Sequence, residues 1–171
     1  MTAARNTWLA SFFNLASIAS TVCVEVHTTL ALVKTHVEFQ SEAFPPYESE
    51  AVEVNPGRFG KRVAEFFASE LAQEGFRPGA IFAEDWGWVV PIDNEEFPLW
   101  VGCGNYEEYP NGFLCFIEPH KPVIRKLFKK IDTTARVAAL QQALHRLLSS
   151  RADVSGIKWW SHEEFNDPKS R

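Results

Sequence analysis

The chain has 171 residues, 46% of them apolar, with six Trp, fourteen Phe and a formal net charge of −5. That length supports one substantial core, and that apolar content excludes wholesale disorder. The charge is uneven: there are sixteen acids and four bases from Glu38 to Glu118, and five acids and eleven bases from Pro119 to Arg171. Such a split points either to self-complementarity within the fold or to an acidic face offered to a basic partner.

Residues 1–30 read as an N-terminal leader or extension. Residues 8–19 are mostly apolar behind a single base, Arg5, and Ser17-Ile18-Ala19 has the small residues of a cleavage site. A secretory signal therefore stands beside a plain upstream extension, because the basic region is weak and Asn14 and several serines dilute the apolar run. The stretch is too short and too polar for a membrane span. The expected location is the cytoplasm, or outside it if residues 1–20 are a signal.

From about residue 30 to 40, Val33, Val37 and Phe39 alternate with Lys34, His36 and Glu38. That period of two predicts a half-buried strand. Residues 41–54 carry Pro45-Pro46 and the acids Glu42, Glu48, Glu50 and Glu53. They read as an acidic surface loop with a short strand over 51–54. Asn55-Pro56 suits the cap and first position of a helix. Phe59, Val63, Phe66, Phe67 and Leu71 mark its inner face, and Gly75 its stop. The glycines of residues 56–60 match neither the phosphate-loop nor the dinucleotide pattern, so capping and packing explain them better.

Residues 80–117 read as an antiparallel meander. Its strands fall over 80–83, 86–92, 98–104 and 113–117, with Asn111-Gly112 as a hairpin signal. The last strand is apolar throughout, as a central strand should be. Val123, Ile124, Leu127, Phe128 and Ile131 space as a short helix with Arg125, Lys126, Lys129 and Lys130 on its other face. Asp132 or Thr133 caps a second helix with Val137, Leu140, Leu144, Leu147 and Leu148 inward. A strand or apolar anchor at 156–160 and a polar tail over 161–171 close the chain. The expected fold is α+β: a single domain over 31–160, with an antiparallel sheet of four to six strands and helices packed on one face.

The stretch from Ile81 to Trp88 joins two carboxylates and two indoles at a strand corner. Trp86 and Trp88, two residues apart, are expected on one strand face, with Trp100 on the facing strand. Tyr106, Glu107, Glu108 and Tyr109 occupy the next loop, at the same end of the meander. Aromatic rings beside acids are the makeup of a protein-binding hot spot or of a pocket for a cationic ligand. The candidate binding residues are therefore Glu84, Asp85, Trp86, Trp88, Tyr106, Glu107, Glu108 and Tyr109.

Other chemistry has less behind it. Glu84 and Asp85 as a hydrolase acid and base must overcome the opposite pointing of adjacent strand residues. Cys23, Cys103 and Cys115 show no C-x-x-C and no zinc-finger spacing. Cys103 and Cys115 lie in apolar runs, so both are expected as buried free thiols, in keeping with a reducing compartment. A thiol–imidazole pair of either with His120 needs an exposed thiol. Glu118, His120, His145 and His162 form no ligand array. The basic segment 121–130 has the charge to grip phosphates, but it lacks aromatic residues on its polar face and belongs to an acidic chain. No catalytic residue, metal or cofactor is assigned. Neither nucleic acid nor a membrane is expected as a partner.

The acidic loops, the W-x-W strand of Trp86 and Trp88, the Asn111-Gly112 hairpin and the Trp159-Trp160 pair give a layout over residues 32–160. It resembles that of small uncharacterised bacterial proteins, some of which act as immunity proteins that mask toxins. The resemblance is one of layout and carries over no functional residue. It implies an interaction protein whose acidic, aromatic face masks or regulates a basic protein partner. A small-molecule binding domain with an aromatic pocket and a hydrolase using Glu84 and Asp85 are the alternatives.

Overall fold

A computed structural model describes residues 33–170 of the chain. The leader, Cys23 and the start of the first predicted strand lie outside the described residues. The described residues form one compact unit.

Six strands build one sheet in the order β2-β3-β4-β5-β1-β8, with every neighbouring pair antiparallel. They are β1 (His36–Ser41), β2 (Phe82–Glu84), β3 (Gly87–Ile92), β4 (Leu99–Asn105), β5 (Gly112–Glu118) and β8 (Val154–Trp160). The expected α+β class is the observed one. The meander β2–β5 has the expected strand order, with bounds shifted by one or two residues, and β5, apolar over 113–117, sits centrally between β4 and β1. Register explains the pattern: Trp88 pairs with Cys103, Cys103 with Cys115, and Cys115 with Val37. Alternation then gives one face to Trp88, Val90, Val101, Cys103, Cys115, Ile117, Val37 and Phe39, all buried.

Two helices cover that face, α2 (Lys61–Glu70) and α3 (Thr134–Ser149). From α2 come Val63, Ala64 and Phe67, and from α3 Val137, Leu140, Leu144, Leu147 and Leu148, all in the same core. Each of these Val, Leu and Phe side chains contributes about 1.5–3 kcal/mol by leaving water. The α3 residues are those that the helical spacing predicts. Thr133 takes the N-cap position, while Asp132 accepts the Thr134 amide at 2.8 Å.

Four local expectations need correction. The segment 51–54 is not a strand: Glu50–Glu53 forms a single helical turn, α1. The next helix does not start at Asn55-Pro56 but at Lys61, because Gly57 takes φ +80° and turns the chain first. Its cap comes from α1. Glu50 is 1% exposed, and one carboxylate oxygen accepts the amides of Gly60 and Lys61 at 2.8 and 2.7 Å. A carboxylate there also suits the positive end of the helix dipole. Gly60 does pack closely: a Cβ there would stand 2.7 Å from the Cys103 carbonyl oxygen.

The segment read as a short basic helix is instead a hairpin, β6 (Val123–Lys126) and β7 (Lys129–Asp132), with Leu127 and Phe128 in the turn. Ile124 faces Ile131 across it. Residues seven apart share a helix face, but here they meet because the two-residue turn folds one strand back on the other. The polar tail carries a further helix, α4 (His162–Asn166), fixed by a capping box between Ser161 and Glu164. Its Phe165 stacks on His36 at 4.8 Å, so α4 covers a corner of the sheet face opposite α2 and α3.

Candidate binding face

The face of the sheet away from α2 and α3 takes the alternate residues. Trp100, Gly102 and Gly104 come from β4, Leu114 and Phe116 from β5, and His36 and Glu38 from β1. A two-residue turn, Asp85-Trp86, joins β2 to β3 and swings Trp86 over this face. Trp86 lies 6.3 Å from Trp100 and 5.0 Å from Phe116 between ring centroids. The bare backbone of Gly102 makes room for the stack. A Cβ there would stand 2.5 Å from the Phe116 ring and 2.8 Å from the Trp86 ring.

Trp86 divides two adjoining grooves. One, of about 410 Å³, is lined by Phe82, Glu84, Trp86, Val89, Pro91 and Trp100. The other, of about 290 Å³, is lined by Arg58, Trp86, Gly104, Asn105, Leu114 and Phe116. Ring faces, a carboxylate at one side and a guanidinium at the other make a surface suited to a mixed cationic and apolar ligand.

Of the predicted residues, Glu84, Asp85 and Trp86 do come together at the β2–β3 turn, and both carboxylates are exposed. The loop over 106–111 lies at the same end of the sheet. Arg58 bridges the two, because it lines the second groove and pairs with Glu107 at 3.3 Å. The Tyr106 and Tyr109 rings meet at a tilt, 5.6 Å apart, and Tyr109 borders a third groove with Glu38, Gln40 and Lys158. Glu108 is exposed.

Trp88 does not belong with them. It is 3% exposed and points to the helix side, with the Lys61 ammonium 4.3 Å from its ring centre. Trp86 is a turn residue rather than the first of β3, so the two-residue rule for strands does not link it to Trp88. Gly87 makes the break possible. Its φ is +154°, and a Cβ there would meet the Cys103 carbonyl oxygen at 2.4 Å.

Sequence reasoning missed Phe82, Arg58 and Phe116 as site residues. Phe116 could have been found by counting alternate positions from Trp100 across the hairpin. That reasoning named Glu118, His120 and His162 but did not bring them together with His36 on this face. His120 and His162 stack at 3.7 Å, and His162 lies 5.4 Å from His36. Glu118 holds His120 Nδ1 at 2.8 Å. Burial, and then the neighbouring His162, push the His36 pKa down to about 4. Among the described residues no group of three His, Cys, Asp or Glu side chains is placed to hold a metal ion.

Cys103 and Cys115 are buried, unbridged and paired across β4 and β5 on the helix side, and burial raises the Cys103 thiol pKa well above its usual value. His120 lies on the other side of the sheet with His162, so the two do not form a thiol–imidazole pair. One Arg or Lys ion pair, Arg146–Glu74 at 2.6 Å, joins the basic last third of the chain to its acidic middle among the described residues. Compared with protein-family models, with curated proteins and with solved structures, the chain matches none.

Proposed function

We propose that the protein is a non-enzymatic interaction protein that masks a basic surface of a protein partner on the open face of its sheet. The observation that carries this reading is Trp86, half-buried between two grooves, stacked on Trp100 and tilted against Phe116, with Glu84 and Asp85 exposed beside it. The rings would supply contact area at little entropy cost, and the acids would steer a basic partner and set its orientation. A small-molecule site in the same place is the second reading, favoured by the volume of the larger groove, about 410 Å³. The hydrolase reading has less support, because Glu84 and Asp85 are both exposed to water and make no ion pair among the described residues.

The test is affinity capture from the source organism, followed by calorimetry of the captured partner with the wild type and with Trp86→Ala. A protein partner that loses about 30-fold in affinity supports the reading, since removing an aromatic anchor costs about 2 kcal/mol. A partner bound equally well by both forms refutes it. Saturable binding of a small cationic molecule, with no protein captured, favours the second reading.

A further inference from the structure

We propose that the β6–β7 hairpin docks tip-first on an anionic phospholipid bilayer. This goes beyond the sheet-face reading and does not depend on it. Leu127 and Phe128 form the turn and are 91% and 105% exposed, the two most exposed large apolar side chains described. Leu127 sits at φ +55°, a region that suits Asn or Gly in such a turn and disfavours leucine. The turn thus places its two apolar side chains in water, at a position where a polar residue would fit better.

Behind the tip stand two rows of bases. Lys126 pairs with Lys129 and Arg125 with Lys130, like charges directly opposite one another. Such pairs weaken a ribbon in isolation. None of the four has an ion-pair partner among the described residues. Adjacent rows point to opposite faces, so the charge surrounds the ribbon instead of lining one side. Residues 121–131 hold five bases and no acid.

An apolar point followed by a belt of cations matches the order met on entering a bilayer end-on: headgroup phosphates outside, hydrocarbon boundary within. A ribbon laid in a nucleic-acid groove reads it with one face, and a charge pair on each face does not favour that mode. The Lys126–Lys129 row stands three residues, about 10 Å, from the Val123–Asp132 row at the base of the ribbon, more than the ~8 Å over which physiological salt screens charge. Such docking requires no spanning segment, and among the described residues no helix is long and apolar enough to cross a membrane.

The test is flotation of the full chain with vesicles of phosphatidylcholine alone and with 30% phosphatidylserine, alongside sedimentation velocity and a duplex DNA titration. We expect binding to the phosphatidylserine vesicles only, weakened at least fivefold by Phe128→Ser and abolished by Lys126→Glu with Lys129→Glu. All variants should melt like the wild type, because these side chains are exposed. A fluorophore on Phe128→Cys, in a Cys23→Ser background, should shift to the blue with anionic vesicles. Absence of vesicle binding overturns the proposal. So does binding that Phe128→Ser leaves intact, which would mark a merely electrostatic contact. DNA binding or self-association that the same variants abolish, without vesicle binding, assigns the hairpin to another partner and also overturns it.

Discussion

The two faces of the sheet are both rich in aromatic rings, yet they are built for different ends. On the helix side, Trp88, Phe39, Phe67 and Phe113 are at most 3% exposed and lock α2 and α3 to the strands. On the other side, Trp86, Trp100 and Phe116 keep part of their surface in water, because α4 covers one corner and leaves the rest open. Trp86 and Trp88 stand two residues apart, and one turn places them on opposite sides. Burial distinguishes the ring packed into the core from the ring left partly in water, which the proposed function uses.

Deleting each ring in turn should separate the two faces. Trp88→Ala, or Phe67→Ala on the helix that covers it, should cost about 3–5 kcal/mol by leaving a cavity, read by urea unfolding. A near-neutral Trp88→Ala would mean that the covered face is not what holds the fold. The next effect in size concerns acid. The His36 pKa is about 4 in the folded chain against an ordinary 6.5. The folded state therefore binds fewer protons, and the contribution is fully present above pH 6.5 and lost as pH falls from 6.5 through 4. That loss is about 3 kcal/mol, and His36→Gln should flatten the pH dependence of the urea midpoint in that window.

Trp86→Ala should cost only about 1 kcal/mol of stability, because the ring is half-exposed and stacked on one side, while costing about 2 kcal/mol of partner affinity. Tyr106→Ala should also cost about 2 kcal/mol of affinity, expressed in the dissociation rate. The smallest effect on folding should come from Glu107→Lys with Glu108→Lys. Exposed ion pairs such as Arg58–Glu107 are worth about 0–1 kcal/mol, so the melting point should hold. The association rate and its salt dependence should both fall, as stopped-flow would read.

The sheet was legible in the sequence because its strands carry period two over runs bounded by turn residues, and α3 because five apolar positions repeat at helical spacing. The candidate site was legible in part. The Glu84–Trp86 corner and the 106–109 loop do share an end of the sheet, but Trp88 was misassigned, because the reading began the strand one residue early and the face assignment follows the strand start. The basic hairpin was misread for a related reason. Isoleucines seven apart fit a helix as well as a hairpin, and only the left-handed Leu127 decides between them. The Glu50 cap gave no local signal, since donor and acceptor are ten residues apart and the turn at Gly57 brings them together.

If the open face binds while the covered face holds the fold, the indole NMR signals of the full chain should show it as the captured partner is added. The Trp86 and Trp100 signals should move while the Trp88 signal stays in place. Movement of Trp88 with Trp86 and Trp100 unmoved would contradict it.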